Sequence, residues 1–99
     1  MAHIVIWSPR AIDDVDAIAA YIAEDSEAYA ASVVRIILDK ARRLSEYPYV
    51  GRVIPEFGDE AIREVFAYSY RIIYQIEGNE VTIAAVIHGK RLLELAINP

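Results

Sequence analysis

One stretch of the chain constrains the fold more than any other, the almost wholly apolar run from Val81 to Ile87. Its length and its branched side chains are typical of a strand, and such a strand belongs in the middle of a sheet, covered on at least one face. A chain of 99 residues forms one small domain, so the remaining residues must supply the neighbouring strands and the cover. The sequence therefore predicts a single domain over residues 1–99.

Two amphipathic stretches in the first half of the chain predict that cover. Ser8-Pro9 begins the first helix, because Ser is a good N-cap and Pro suits the first helical position. The helical spacing of apolar residues continues to about Glu24, and Asp25-Ser26 then starts a longer second helix that Pro48 ends. A joint of two residues between amphipathic helices predicts an antiparallel hairpin.

The remaining segments predict strands. They are His3–Trp7, Ile62–Tyr68, Tyr70–Ile76 and Val81–His88, with an irregular connection over Tyr47–Glu60, a tight Glu77–Glu80 turn and a short helix or tail over Lys90–Asn98. The predicted fold is α+β: an N-terminal strand, an antiparallel helical hairpin, a three-stranded antiparallel β-meander and a short C-terminal helix or tail.

Composition excludes several classes of function. The chain has no Cys, so it has no disulfide or thiolate metal site, and a reducing cytoplasm is the expected location. With only two His, no metal site and no cofactor are expected. A formal net charge of −5 makes direct DNA binding unexpected, and no apolar run is long enough to cross a membrane. An apolar fraction of 56% is high for so small a domain, which predicts exposed apolar surface that meets a partner.

The strand that contains Arg71 predicts a charged group on an open sheet face. Alternation places Arg71 on one face with Ile73, and Tyr70 on the other face beneath the helices. Arg63, in the preceding strand, is expected on the same open face as Arg71. Two guanidinium groups there suit an acidic peptide or a phosphate. The alternative is that both are ordinary exposed arginines paired with acids such as Glu64.

The order and spacing of several short motifs resemble a known superfamily. The motifs are Leu44, Tyr47-Pro48, Gly51-Arg52, Pro55-Glu56, Ile62-Arg63-Glu64, Tyr70–Tyr74 and Val81–His88. Together they resemble the RelE/ParE superfamily of bacterial toxins from type II toxin–antitoxin systems, over nearly the whole chain. Ser8–Glu24 and the Pro-x-x-Gly-Arg joint are most similar to the ParE branch.

This resemblance implies one of two toxic activities. RelE-like members are ribosome-dependent endoribonucleases that cut mRNA, whereas ParE-like members inhibit DNA gyrase and are not known for catalysis. Both are neutralised by an antitoxin that is encoded beside them. The favoured function is a ParE-like toxin that inhibits growth by contacting gyrase and is silenced by a ParD-like antitoxin. An inactive homologue that only binds its antitoxin is a further alternative.

The nuclease alternative implies a set of catalytic residues. RNA cleavage of this type needs a base, a cation for the scissile phosphate and an acid for the leaving oxygen. By resemblance, Glu56, Arg71 and His88 would form this set, although Gly89 or Lys90 competes with His88 for its position. Otherwise Glu56 is a solvated loop carboxylate, and His88 is a histidine at the end of a strand.

The resemblance also implies two contact surfaces. An antitoxin would bind an apolar groove beside the helical hairpin through an amphipathic helix and an extended segment. The antitoxin-binding candidates are Arg52, Arg63, Arg71, Tyr21 and Tyr29. The gyrase-contact candidates are Lys90, Arg91, Leu92 and Leu93, in the carboxyl-terminal region that inhibits gyrase in ParE-like toxins. Alternatively, the leucines of this segment dock on the sheet as a closing helix.

Overall fold

A computed structural model describes residues 2–90 as a five-stranded mixed sheet with a helical hairpin on one face. The elements are β1 (Ile4–Trp7), α1 (Pro9–Ala23), α2 (Glu27–Arg43), β2 (Arg52–Val53), β3 (Ile62–Ala67), β4 (Tyr70–Glu77) and β5 (Glu80–His88). The strand order is β1-β5-β4-β3-β2, with β1 parallel to β5 and the other pairs antiparallel. The apolar strand β5 thus lies inside the sheet, which confirms the prediction.

Both helices begin where the sequence predicts. The Ser8 hydroxyl accepts a hydrogen bond from the Ala11 N–H at 3.0 Å, and the Ser26 hydroxyl accepts from the Tyr29 N–H at 3.0 Å. Each hydroxyl therefore satisfies one of the N–H groups that a helix start leaves without a partner.

The main hydrophobic core fills the space between the helical hairpin and the sheet. Its buried residues are Ala11, Val15, Val33, Ile37, Ala41, Leu44, Ala67, Ile72, Tyr74, Ile76, Val81, Ile83 and Val86. These positions recur at helical spacing in α1 and α2 and on alternate positions of β4. This is the face of β4 that the sequence assigned to the helices.

The opposite face of the sheet is less open than predicted. Ile54, Ile73, Ala85 and Ile87 form a second buried cluster there, and Phe57 and Ile62 pack against it. The chain reaches this face through β2, which lies inside the connection predicted to be irregular. Two residues are too few to show the alternation of apolar and polar side chains by which a strand is predicted. β2 is defined only by its pairing with β3.

Strand β5 contains a bulge. Ile73 lies opposite Ala85 and Tyr74 opposite Ile83, so Ala84 is the extra residue. Two residues near the start of α1 bind the backbone here. The Ser8 hydroxyl donates to the Ala84 carbonyl at 3.0 Å, and an Asp14 carboxylate oxygen accepts from the Val86 N–H at 2.9 Å. The bulge is therefore fixed to α1.

The two hairpin turns differ in how they reverse the chain. Gly78 has a φ of +60°, which suits glycine, in the predicted turn between β4 and β5. Between β3 and β4, Tyr68 has a φ of +55°, which is uncommon for a bulky side chain.

Within residues 2–90, no helix is long and apolar enough to cross a membrane. The predicted C-terminal helix or tail lies, beyond Lys90, outside the described residues.

Candidate functional surface

A buried ion pair lies on the sheet face opposite the helices. Glu64 is 1% exposed, and its Oε1 atom lies 2.5 Å from Nη2 of Arg71, itself 7% exposed. Its Oε2 atom accepts from Nε of Arg52 at 2.5 Å, whereas the rest of the Arg52 side chain extends into solvent. The Arg71 guanidinium is thus engaged inside the protein, and Arg52 is the arginine of this cluster that a partner can reach.

Arg63 does not lie beside Arg71, and the prediction that the two share one face is wrong. Arg63 lies opposite Tyr74, on the helix side, whereas Arg71 lies opposite Phe66. The two-residue turn between β3 and β4 sets this register, and a shift of one residue moves every side chain to the other face. Arg63 donates to the carbonyls of Gly51 and Glu60, each at 2.9 Å.

The segment before β2 is fixed by a buried tyrosine. The Tyr74 hydroxyl donates to the Pro48 carbonyl at 2.7 Å and accepts from the Gly51 N–H at 3.0 Å. Burial raises the pKa of Tyr74, and the hydrogen bond from Gly51 only partly offsets this effect. A Cβ atom on Gly51 would overlap the Tyr74 hydroxyl oxygen and the Glu64 carbonyl oxygen. This close approach explains why the Pro-x-x-Gly-Arg motif has a glycine at position 51.

A cleft of about 670 Å³ lies between the C-terminal end of α2, the segment before β2, and β3. We call it the cationic cleft. It is lined by Lys40, Arg43, Glu46, Tyr47, Val50, Gly51, Arg52, Glu64, Val65 and Phe66. Since Arg71 balances the charge of Glu64, the three cationic side chains of the lining exceed its one remaining acid, Glu46, by two charges. In a chain of net charge −5, this local excess of positive charge favours an acidic partner.

Sequence reasoning missed Lys40, Arg43 and Phe66 as members of this cleft. The two cations lie one turn apart at the end of α2, a place where cations ordinarily complement the helix dipole. Because the helix dipole already accounts for cations at this place, the sequence does not indicate a second role for them. Phe66 reaches the same cleft only because β3 packs beside the end of α2.

Among residues 2–90, the later part of strand β3 has no strand partner beside the cationic cleft. Within that range, β2 pairs with Arg63 and Glu64 of β3. The Ile62 carbonyl accepts from the Ile54 N–H, so even-numbered residues of β3 direct their peptide groups toward β2. Phe66 is also even-numbered, so its peptide groups point to the side on which β2 lies, but beyond the end of β2. Its side chain is 49% exposed. An extended peptide can hydrogen-bond to the sheet at this point.

The helical hairpin carries a shallow apolar groove on its outer side. We call it the hairpin groove, and its lining is Ala19, Ala20, Ala23, Glu27, Ala30, Ala31, Val34, Arg35 and Leu38. Val34 and Leu38 also line a second depression with Trp7 and Ile12, so the apolar surface continues to β1. Leu38 is 48% exposed and Ile12 49%. The apolar groove expected beside the hairpin is present.

An aromatic cluster lies at the end of the molecule where the helical hairpin meets the β3–β4 turn. Tyr29 and Tyr68 meet edge to face with ring centroids 6.2 Å apart, and Tyr70 meets His88 in the same way at 5.8 Å. Tyr21 and Tyr29 are exposed. Burial raises the pKa of Tyr70, and the neighbouring Tyr29 and Tyr21 raise it further. The cluster presents apolar rings with polar tips, a combination common at protein interfaces.

The sequence model of one protein family matches residues 5–93 of this chain, which is most of its length. That family is described as the ParE toxin of the type II toxin–antitoxin system parDE. The chain belongs to the ParE toxin family.

Solved structures give the same fold at low sequence identity. A structure of the chromosomal ParDE toxin–antitoxin system from P. aeruginosa is 19% identical, with a TM-score of 0.72, covering 88% of this chain and 96% of that chain. A mutant of the E. coli toxin RelE in the free state is 18% identical, with a TM-score of 0.67, covering 91% and 86%. A comparison with curated protein sequences finds no match.

The structure of this ParE family member does not bring the three nuclease candidates together. Arg71 lies opposite Ile87, so the next residue, His88, falls on the helix side, where it meets Tyr70. Glu56 is exposed in the segment after β2. The sheet therefore separates His88 from Arg71.

The gyrase-contact candidates begin at the end of β5. Lys90 is exposed, and its N–H donates to Nδ1 of His88 at 3.2 Å. Arg91, Leu92 and Leu93 lie outside the described residues.

Across residues 2–90, no group of three His, Cys, Asp or Glu side chains is arranged to hold a metal ion.

Proposed function

We propose that this ParE family toxin acts by contacting DNA gyrase and is silenced by a ParD-like antitoxin. The observation that carries the proposal is the engagement of Arg71 with buried Glu64. A nuclease of the RelE type needs a cation that touches the scissile phosphate, and the Arg71 side chain is only 9% exposed. Action through protein contact requires no such group. Gyrase as the target would place the action in the bacterial cytoplasm.

The gyrase contact remains the carboxyl-terminal segment that begins at Lys90. We propose that Lys90, Arg91, Leu92 and Leu93 form it, because two cations next to two leucines suit a protein surface with acidic and apolar groups. The exposed position of Lys90 immediately after β5 supports an accessible start for this contact.

The antitoxin contact has two parts in this proposal. An amphipathic helix of the antitoxin fills the hairpin groove and reaches Tyr21 and Tyr29 of the aromatic cluster at the end of the hairpin. An extended acidic segment enters the cationic cleft and contacts Arg52. Arg63 and Arg71 support this surface from within, because their guanidinium groups bond to the backbone and to Glu64.

A supercoiling assay with purified components tests the proposed target. Relaxed plasmid is incubated with gyrase, ATP and increasing amounts of the purified chain, and supercoiled product is measured. We expect loss of supercoiling, restored by the protein that is encoded beside the toxin. The matched variants are Lys90→Ala with Arg91→Ala, which should weaken inhibition, and Gln75→Ala with Asn79→Ala, which should leave it unchanged.

A parallel assay decides between gyrase and RNA. The same preparation is added to translating ribosomes, and mRNA ends are mapped by primer extension. Intact mRNA together with loss of supercoiling supports the proposal. Cleavage at ribosome-held codons that is lost in His88→Ala, with normal supercoiling, would replace gyrase by the nuclease function. If neither loss of supercoiling nor mRNA cleavage is seen, the chain would be a homologue that only binds its antitoxin.

Charge variants test the antitoxin contact in the cationic cleft. Lys40→Gln with Arg43→Gln changes the net charge from −5 to −7, since two positive charges are lost. Gln75→Glu with Asn79→Asp also gives −7, but at exposed positions in and after β4. We expect antitoxin affinity, measured by calorimetry, to fall about tenfold or more only for the cleft variant, and more at low salt. Equal loss in both variants would mean that net charge alone matters.

A further inference from the structure

Strand β1 is a sheet edge with unused backbone groups. The Ile4 N–H donates to the Asn79 carbonyl and the Ser8 N–H donates to the Ile83 carbonyl, so even-numbered residues of β1 face β5. Odd-numbered residues face outward. The His3 N–H donates to the Ser45 carbonyl at 2.7 Å, and the His3 carbonyl accepts from the Ser45 hydroxyl at 2.7 Å.

Val5 and Trp7 have no such cover. Their N–H and C=O groups point away from β5, and among residues 2–90 no loop or side chain supplies them with a hydrogen-bond partner. Natural proteins protect edge strands with charged residues, prolines or bulges. β1 is short, but it contains no charged residue, proline or bulge. Two of its apolar side chains are also exposed, Ile4 at 55% and Ile6 at 38%.

We propose that β1 pairs antiparallel with β1 of a second copy of this chain. The pairing joins the two sheets edge to edge around a two-fold axis at Ile6. Val5 of one copy then lies opposite Trp7 of the other, and each such pair exchanges two N–H···O=C bonds. A two-fold axis at Val5 would instead place Trp7 opposite His3, whose groups Ser45 already occupies. The free backbone groups therefore specify the register.

The distribution of charge favours a second copy at this edge. Two copies each carry a net charge of −5 and repel each other, so association is easiest where the contact itself holds no unbalanced charge. No residue of β1 is charged, and Arg42, which lines the depression beside Val5 and Trp7, pairs with Asp39 at 2.6 Å. The other sheet edge borders the cationic cleft, where a second copy would meet cations like its own. Leu38 adds exposed apolar surface on the helix side of β1.

Cysteine cross-linking tests the register directly, because the chain has no Cys of its own. In the proposed dimer the two copies of residue 6 form a non-hydrogen-bonded pair with Cα atoms about 4.5 Å apart, within reach of a disulfide. We expect Ile6→Cys to give a covalent dimer under mild oxidation. The matched control is Ile4→Cys, which is more exposed but lies opposite Ser8, so its two copies are roughly 14 Å apart. Equal cross-linking of both variants would indicate random collision and overturn the proposal.

Sedimentation equilibrium of the unmodified chain provides the second measurement. We expect the average mass to rise with concentration from 11.1 kDa toward twice that value. Ile6→Lys places two like charges at the axis and should remain a monomer, whereas Gln75→Lys, with the same change of charge far from β1, should behave as the unmodified chain. A monomer at every concentration, or an association that Ile6→Lys leaves intact, would overturn the proposal.

Discussion

Glu64 is a carboxylate removed from water that nevertheless has hydrogen bonds to both oxygens. Arg71 bonds to one oxygen and Arg52 to the other, each at 2.5–2.6 Å. Among residues 2–90, every buried polar side-chain atom has a partner. A buried ion pair is tolerated under this condition, since the cost of desolvation is offset only when geometry is good and no group is left over.

Replacing Glu64 by Gln should destabilise the protein strongly. The change keeps the shape of the side chain but leaves the charge of Arg71 buried without a counter-ion, which costs about 3–5 kcal/mol. The free energy of unfolding in urea measures the loss. Arg52→Gln is the comparison, because the Arg52 side chain is 62% exposed, so its replacement leaves one Glu64 oxygen without a donor but no charge buried without a counter-ion, and the loss should be smaller, about 1–3 kcal/mol. Equal losses in the two variants would contradict a buried role for the Glu64–Arg71 pair.

Gly51→Ala should destabilise the protein through steric overlap rather than backbone strain. The added Cβ would overlap the Tyr74 hydroxyl oxygen and the Glu64 carbonyl oxygen, and such overpacking costs about 1–3 kcal/mol. Tyr74→Phe removes the hydroxyl oxygen, the atom that the Cβ would approach most closely, so the double variant should lose less than the sum of the single losses. Strict additivity in urea unfolding would show that the overlap with Tyr74 is relieved in another way.

At the scale of elements, α1 is attached to the sheet through its first two turns. Ser8 begins the helix and also donates to the bulge of β5, and Asp14 accepts from the Val86 N–H. One end of the helix is therefore bonded to the backbone of β5 on both sides of the bulge. The N-cap could be predicted from the residue type of Ser8, but the bulge could not, because Ala84 is a residue with no special turn preference.

Asp14→Ala should destabilise the protein by about 1–3 kcal/mol, because the Val86 N–H would lose its acceptor. Asp14→Asn retains an oxygen acceptor and should recover most of the loss. The control is Asp13→Ala, an exposed neighbour whose replacement should stay within about 0.5 kcal/mol. Thermal unfolding followed by circular dichroism measures all three variants. A loss as large for Asp13→Ala would show that helix charge, not the bulge, is responsible.

For the whole molecule, buried Tyr74 and half-buried Tyr70 predict loss of stability in alkali. Burial raises the pKa of Tyr70 and Tyr74 above the ordinary value of 10.0. Below that value both folded and unfolded states hold the protons, and stability is constant. As the pH rises through and above it, the unfolded state releases protons first, so the free energy of unfolding falls. Urea unfolding between about pH 8 and 11 should show this decline, and Tyr70→Phe should make it shallower. An unchanged slope in that variant would contradict the contribution of Tyr70.

The two sheet edges give the molecule two distinct surfaces. The β3 edge lies beside the cationic cleft and suits an acidic segment, whereas the β1 edge carries no charge and suits a copy of itself. Under the two proposals, the chain meets an acidic partner at one edge and a second copy at the other. The composition does not reveal the cationic cleft, because Lys40, Arg43 and Arg52 come from α2 and β2 and meet around one cleft only in the folded chain.

The sequence by itself determined the order of the elements, the helix starts and the position of β5 inside the sheet. These features depend on residue type and local spacing, such as the N-caps at Ser8 and Ser26 and the continuous apolar run of β5. The family resemblance also followed from motifs in order along the chain. Only the tertiary structure decided which residues share a face and which charges are buried. Arg63 and Arg71 lie on opposite faces because the turn at Tyr68 sets the register of β3, and Glu64 is buried because two arginines from different strands meet it. Pairing between distant segments is fixed by packing and register, which no local pattern contains.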